Sequence, residues 1–94
     1  HGPTLTYKFG FELEDMFDYL TDYAKTSNIK GVVEVAQLFK WIQTMSRISM
    51  FEMIRTFNCG IGMVFIMKPG FDPALFKANG FAEFIPLGEV VEKV

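Results

Sequence analysis

Residues 55–67, Arg-Thr-Phe-Asn-Cys-Gly-Ile-Gly-Met-Val-Phe-Ile-Met, change character twice within thirteen positions, and this constrains the fold more than any other stretch of the chain. Upstream, Ser49 stands three positions before Glu52, the spacing of a capping box, in which side chains satisfy the free amides at a helix start. That spacing predicts a short helix from Met50 to about Phe57. Asn58 and Gly60 both tolerate positive φ, so either can end the helix in a left-handed cap. Residues 63–67 are then apolar without interruption, too short for an independent helix and suited to a fully buried strand. The order reads helix, glycine turn, central strand. Arg55, Thr56 and Asn58 crowd just ahead of Gly60 and Gly62, where backbone amides lie open to approach, and these five residues form the candidate site.

Gly60-Ile61-Gly62 does not fit a dinucleotide-binding turn. In that fold the glycines follow a strand and open a helix, so that phosphate rests on the helix amino terminus. Here the order is reversed. On spacing alone the glycines read as a helix cap with close backbone packing. Arg55 also has a structural role open to it, pairing with Glu52 at helical spacing. Gly62 is expected to be structurally demanding, with Gly62→Val destabilising the domain.

Earlier in the chain, residues 4–14 alternate strictly: Leu5, Tyr7, Phe9, Phe11 and Leu13 on one face, polar residues and Gly10 on the other. A period of two over that length predicts a long strand with one buried face. Glu12 and Glu14 share the wet side and read as solvated carboxylates rather than an acid/base pair. Asp15 is placed to cap a helix whose stripe is Met16, Tyr19, Leu20, Tyr23 and Ala24. Thr26-Ser27-Asn28 and Gly31 then break it. Residues 32–45 are apolar nearly all round, predicting a helix buried on more than one side, with Trp41 read as core rather than as a ligand-stacking ring. Past the strand, Lys68-Pro69-Gly70 turns the chain, Asp72 and Pro73 start a short helix, and Asn79-Gly80 ends it. Residues 81–91 supply a last strand, in which Pro86 belongs at an edge or bulge. The order β-α-α-α-β-α-β predicts a single α+β domain over residues 1–94, with a mixed sheet and helices mainly on one face.

Composition narrows the function. Half of the 94 residues are hydrophobic and eleven are Phe, more apolar side chain than one small core absorbs, so a partner surface is expected. A net charge of −2 with scattered Lys and Arg argues against nucleic acid, and no apolar run reaches bilayer length. No basic-then-apolar leader opens the sequence. Cys59 is the single cysteine, which suits a reducing cytosol and reads as a small packed apolar residue. With His1 the one histidine, no Cys/His metal site is expected.

Phe39-Lys40-Trp41-Ile42-Gln43, followed after a gap by residues 52–64, closely resembles aminoimidazole ribonucleotide synthetase (phosphoribosylformylglycinamidine cyclo-ligase). In that family a Phe-x-Trp-Leu-Gln helix precedes a Glu-Met-x-Arg-Thr-Phe-Asn-x-Gly-Ile-Gly-Met block, and residues 84–91 look like its closing strand. The resemblance covers about residues 35–94. It departs at Ala36 and Gln37, where a proline pair is expected, and residues 15–31 have no counterpart. It implies the carboxyl-terminal portion of an enzyme that uses ATP and magnesium to close the imidazole ring of formylglycinamidine ribonucleotide. Arg55, Thr56, Asn58, Gly60 and Gly62 would then contact substrate or phosphate, with no catalytic residue and no metal ligand assigned in this chain. The family's ATP-binding amino-terminal domain and its His-x-Thr-Gly-Gly-Gly motif have no match here. The resemblance therefore implies a cytoplasmic piece that is inactive alone, binds no cofactor by itself, and pairs with a missing amino-terminal part or with its own copies. The alternative is a non-catalytic interaction or dimerisation domain that retains the fold.

Overall fold

The structure, a computed structural model, describes residues 4–72, 74–80 and 83–93. Its elements are β1 (Leu5–Phe9), a 3-10 turn (Leu13–Asp15), α1 (Met16–Thr26), α2 (Val32–Ser46), α3 (Met50–Thr56), α4 (Ala74–Ala78) and β2 (Gly88–Glu92). The class is α+β, as the sequence pattern implies.

Spacings of three and four make α1 amphipathic, and Met16, Phe17, Leu20, Thr21 and Ala24 are its buried residues. The buried stripe sits one position round from the expected one, because Phe17 and Thr21 face inward while Tyr19 and Tyr23 are only half-buried. Thr21 is accommodated by two hydrogen bonds: its hydroxyl donates to the Phe17 carbonyl at 2.8 Å and accepts from Gln37 Nε2 at 3.1 Å. A buried hydroxyl thus ties α1 to α2 without an unsatisfied group. Asn28, at a φ of 55°, ends α1, and Gly31, at 87°, opens α2. An exposed ion pair at 2.7 Å, Lys40 to Asp18, spans the same two helices.

Met16, Phe17, Leu20, Ala36, Met50, Met53 and Cys59 form one core cluster. α3 reaches it by a well-capped start. Ser49 Oγ accepts the Glu52 N–H at 3.2 Å, and α3 then buries Met50 and Met53. The Glu52 carboxylate approaches Arg55 at 3.6 Å. α2 departs from expectation. It packs on α1 through the side that carries Ala36, its one fully buried residue, with Phe39 partly buried against the core. Val35, Leu38, Trp41 and Met45 stay exposed by 39–66%. Leu38, Trp41 and Met45 recur at three and four, an apolar stripe more than half exposed.

The first strand is shorter than its alternation. β1 ends at Phe9, one further bond following in the same register from the Gly10 N–H to the Leu87 carbonyl at 2.9 Å, and Phe11 stacks on Tyr19 with ring centroids 4.4 Å apart. Leu13 then packs against the core from the 3-10 turn. β1 pairs antiparallel with β2, Leu5 opposite Glu92, Tyr7 opposite Val90 and Phe9 opposite Gly88. Leu5, Tyr7 and Val90, which share one face of this ribbon, are 45–65% exposed, so the buried face expected for the strand is open. Pro86 precedes β2 rather than interrupting it, and its carbonyl accepts a hydrogen bond from the Tyr19 hydroxyl. At Gly88 a Cβ would collide with the Lys8 carbonyl and lie 2.8 Å from Phe9 Cα, so only glycine lets β2 approach here.

The central strand does not form. Residues 63–67 carry neither helix nor strand, and all five side chains are exposed, Met63 by 72% and Ile66 by 79%. The sheet among the described residues is a two-stranded antiparallel ribbon instead of a mixed one. A strand needs a neighbouring backbone, and β1 and β2 take each other. Beyond this segment the local signals act as expected. Phe71 N–H bonds to the Lys68 carbonyl at 3.2 Å, Asp72 Oδ1 accepts the Ala74 N–H at 2.9 Å, and Gly80 follows α4 at a φ of 77°. Pro73 and residues 81–82 of the expected last strand lie outside the described residues.

Candidate functional site

The five candidate residues run in order across the end of α3 and its exit. Arg55 and Thr56 close the helix, Phe57 is its C-cap with extended backbone, and all five are exposed. The left-handed step falls on Cys59 (φ 54°) and Gly60 (φ 86°), and not on Asn58. Asn58 acts through its side chain and carbonyl. Its Oδ1 accepts the Gly60 N–H and its backbone oxygen accepts the Ile61 N–H, each at 2.9 Å. This is an Asx turn, the side-chain mimic of a backbone turn. The Gly60 amide, expected to lie open, is therefore already occupied by Asn58.

Gly60 and Gly62 differ in what they require. A Cβ on Gly60 would collide with Val35 Cγ1 and lie 3.9 Å from Phe39 Cε2, and its φ is one that side chains resist. The turn is thus pressed against α2. Gly62 lies outside the left-handed region, and a Cβ there meets nothing within 4 Å. The expectation that Gly62→Val introduces strain or a clash is not supported; the demanding glycine is its neighbour.

Cys59 sits beneath the turn at 2% exposure, its sulfur 3.9 Å from the carbonyls of Met53 and Phe57. Burial pushes the thiol up, away from the reactive thiolate, and it packs as a small apolar residue. Arg55 is held loosely. Nη1 is 3.6 Å from Glu52 Oε1, the guanidinium lies 5.5 Å from the Phe51 ring centroid, and its side chain is 64% exposed. A cation in the last turn also complements the helix dipole. What the arrangement offers chemically is one exposed positive charge and a hydroxyl beside a turn packed against α2.

Among the described residues no three His, Cys, Asp or Glu come together as ligands. A concavity of about 290 Å³ on α1 and its exit is lined by Tyr19, Asp22, Tyr23, Thr26 and Ser27, with an acidic group and no basic one. Burial, with Tyr23 as a second cause, pushes the Tyr19 phenol up. This concavity shares no residue with the 55–62 segment. No helix among the described residues is long and apolar enough to cross a membrane.

Two features escaped the sequence pattern. Val35 as the seat of Gly60 involves residues far apart in the chain, and no local signal announces it. The Asn58 to Gly60 bond was accessible, since Asn two positions before a glycine is an Asx-turn spacing.

No family model matches the chain, and no solved structure does. Curated proteins do. The chain is 46% identical over 65 residues to "Phosphoribosylformylglycinamidine cyclo-ligase" of Thermoanaerobacter sp. (strain X514), covering 67% of this chain and 19% of that protein. It is 45% identical over 60 residues to the chloroplastic cyclo-ligase of Arabidopsis thaliana, covering 62% and 15%. Against the chloroplastic/mitochondrial cyclo-ligase of Vigna unguiculata it is 37% identical over 62 residues, covering 65% and 16%. The chain thus spans less than a fifth of the length of the curated relatives it matches. Over about two thirds of its own length, this chain is homologous to a segment of phosphoribosylformylglycinamidine cyclo-ligase.

Proposed function

We propose that this chain is a carboxyl-terminal portion of a cyclo-ligase that closes the imidazole ring of formylglycinamidine ribonucleotide in purine biosynthesis, and that it is inactive alone. The observation that carries this reading is the 46% identity over 65 residues to named cyclo-ligases. ATP and magnesium are held by the rest of such an enzyme. Arg55 supplies positive charge to the phosphate of the ribonucleotide, Thr56 a hydroxyl, and Gly62 an approachable backbone; Asn58 and Gly60 hold the turn that presents them. Charge presented to a phosphate from a rigid frame is the contribution a phosphoryl-transfer site needs. The cytoplasm is the expected compartment.

The test joins this chain by co-expression to the remainder of the Thermoanaerobacter cyclo-ligase and measures ATP-dependent ring closure. The isolated chain is expected to give none and the complex to be active. Arg55→Ala in the complex should lower turnover about tenfold or more while leaving the melting temperature nearly unchanged. Activity indifferent to Arg55→Ala in a folded complex removes Arg55 from the site, and a complex without activity overturns the enzymatic reading. One observation favours the alternative of a non-catalytic interaction domain: the exposed stripe of Leu38, Trp41 and Met45 on α2. A complex that assembles and stays inactive selects it.

A further inference from the structure

β1 has a free side, and the bonds on its other side define it. The Lys93 N–H bonds to the Thr4 carbonyl and the Gly10 N–H to the Leu87 carbonyl, one bond beyond each end of the ladder. Antiparallel pairing alternates, so Thr4, Thr6, Lys8 and Gly10 turn their backbone groups to β2, while Leu5, Tyr7 and Phe9 turn theirs away from it. No other strand among the described residues takes these up. The same three residues carry the apolar face of β1: Leu5 and Tyr7 are 60% and 65% exposed, and Phe9 is half-buried. Ring contacts run from Tyr19 through Phe11 and Phe9 to Tyr7, with centroids 4.4–5.1 Å apart, and end on this edge strand. A row of free backbone donors and acceptors flanked by apolar side chains is a template for another strand.

We infer that β1 pairs antiparallel with the β1 of a second copy of this chain, Tyr7 opposite Tyr7, joining two ribbons into one four-stranded sheet. This goes beyond the enzymatic reading and does not rest on it. The sequence of β1 selects the occupant. With Tyr7 on the two-fold axis, Leu5 of each copy stands opposite Phe9 of the other, so the outward backbone groups meet in phase and the apolar side chains share one face. On the other face Thr6 of each copy meets Lys8 of the other. Lys8 already faces Glu89 across its own ribbon, so no like charges stand opposite one another. The outer edge of β2 lacks this match: pairing it with itself about Val90 joins two strands that each carry Glu89 and Glu92 and no cation. A head-to-tail pairing of β1 with β2 repeats without closing, whereas the β1 pairing is isologous and stops at two copies. An edge of five residues is a small interface, so the dimer belongs to the weak, reversible class.

Sedimentation and hydrogen exchange of the full chain, from micromolar to millimolar concentration, test this. A monomer–dimer equilibrium is expected, with exchange at the Leu5, Tyr7 and Phe9 amides slowing about tenfold or more at the same midpoint. Tyr7→Lys sets two charges against each other on the axis. It should weaken the dimer about tenfold or more, while the melting temperature at micromolar concentration stays within about 2 °C of the parent. Thr6→Glu places a carboxylate opposite Lys8 of the other copy and should tighten the dimer about twofold or more, and Thr6→Lys should loosen it by about as much. A chain that stays monomeric at millimolar concentration overturns the inference. So does a dimer that a folded Tyr7→Lys variant leaves intact, or one whose protection appears at the outward amides of Val90 and Glu92 or on α2 instead. Should Tyr7→Lys unfold the ribbon, the two Thr6 variants decide: effects of opposite sign support the pairing, and equal effects overturn it.

Discussion

Met53 and Ile66 are two large apolar residues thirteen positions apart, and Met53 is fully buried while Ile66 is 79% exposed. Their contrast is that of two regions. From Leu13 to Ile61 the chain builds helices whose backbone bonds are internal, and it needs only side-chain faces to meet. Met16, Phe17 and Leu20 of α1 and Met50 and Met53 of α3 do meet, because each helix is separately specified by period and cap. Residues 62–67 are as apolar, but a strand has no internal backbone bonds, so its structure depends on a neighbour elsewhere. Apolar content sets how strongly a segment seeks cover; element type sets whether it can fold before finding it.

Large-to-small substitution separates the regions most sharply. Met53→Ala is expected to cost about 2–5 kcal/mol of unfolding free energy in the isolated chain, measured by urea titration. Ile66→Ala should cost no more than about 0.5 kcal/mol. Equal losses would break the comparison, since they would mean that residues 62–67 already share the helical core. Next come the two glycines. Gly60→Val combines a disfavoured φ with the collision on Val35 and should cost about 1–3 kcal/mol, whereas Gly62→Val should be near neutral. A Gly62→Val variant that melts as low as Gly60→Val would place the end of the rigid lobe two residues further on. Removing the cap of α3 with Ser49→Ala should lower stability by about 1 kcal/mol, read from the same titration. Arg55→Ala is the smallest change. Its pair with Glu52 is long and exposed, so a loss under about 0.5 kcal/mol is expected, shrinking further at high salt. A larger, salt-independent loss would make Arg55 a structural residue.

What could be read from the sequence follows the same division. The starts and stops of α1, α2 and α3, the Ser49 cap, the Asp72 cap and the Asn79-Gly80 stop are local, and each was legible within a few residues of itself. That Arg55, Thr56 and Asn58 stand at a helix exit was legible for the same reason. Which glycine bears the strain was not legible, because the answer lies in Val35, a residue on another helix. The strand expected at 63–67 does not form for a related reason: an unbroken apolar run says that a segment prefers burial on both faces, and says nothing about whether the burying surface is in the same chain. Thr4 to Leu13 shows the intermediate case. The alternation is real, but Gly10 and the stacking of Phe11 on Tyr19 bend it after Phe9, sending Leu13 to the helical core while Leu5 and Tyr7 stay with β2.

The β1–β2 ribbon sets Leu5 beside Glu92, and the Lys93 N–H donates to the Thr4 carbonyl at 2.8 Å. Closing a loop that holds nearly the whole described chain costs about 4 kcal/mol of chain entropy, by the logarithmic dependence on loop length. Bringing Met16 to Met53 in the helical core closes a shorter loop and, by the same logarithm, costs about 3 kcal/mol. Time therefore orders the molecule. The helical core is expected to close before the ribbon, the costlier closure by about 1 kcal/mol. Joining the ends with a short linker would remove most of that search, so a cyclised chain should fold faster in its final phase with the helical phase unchanged.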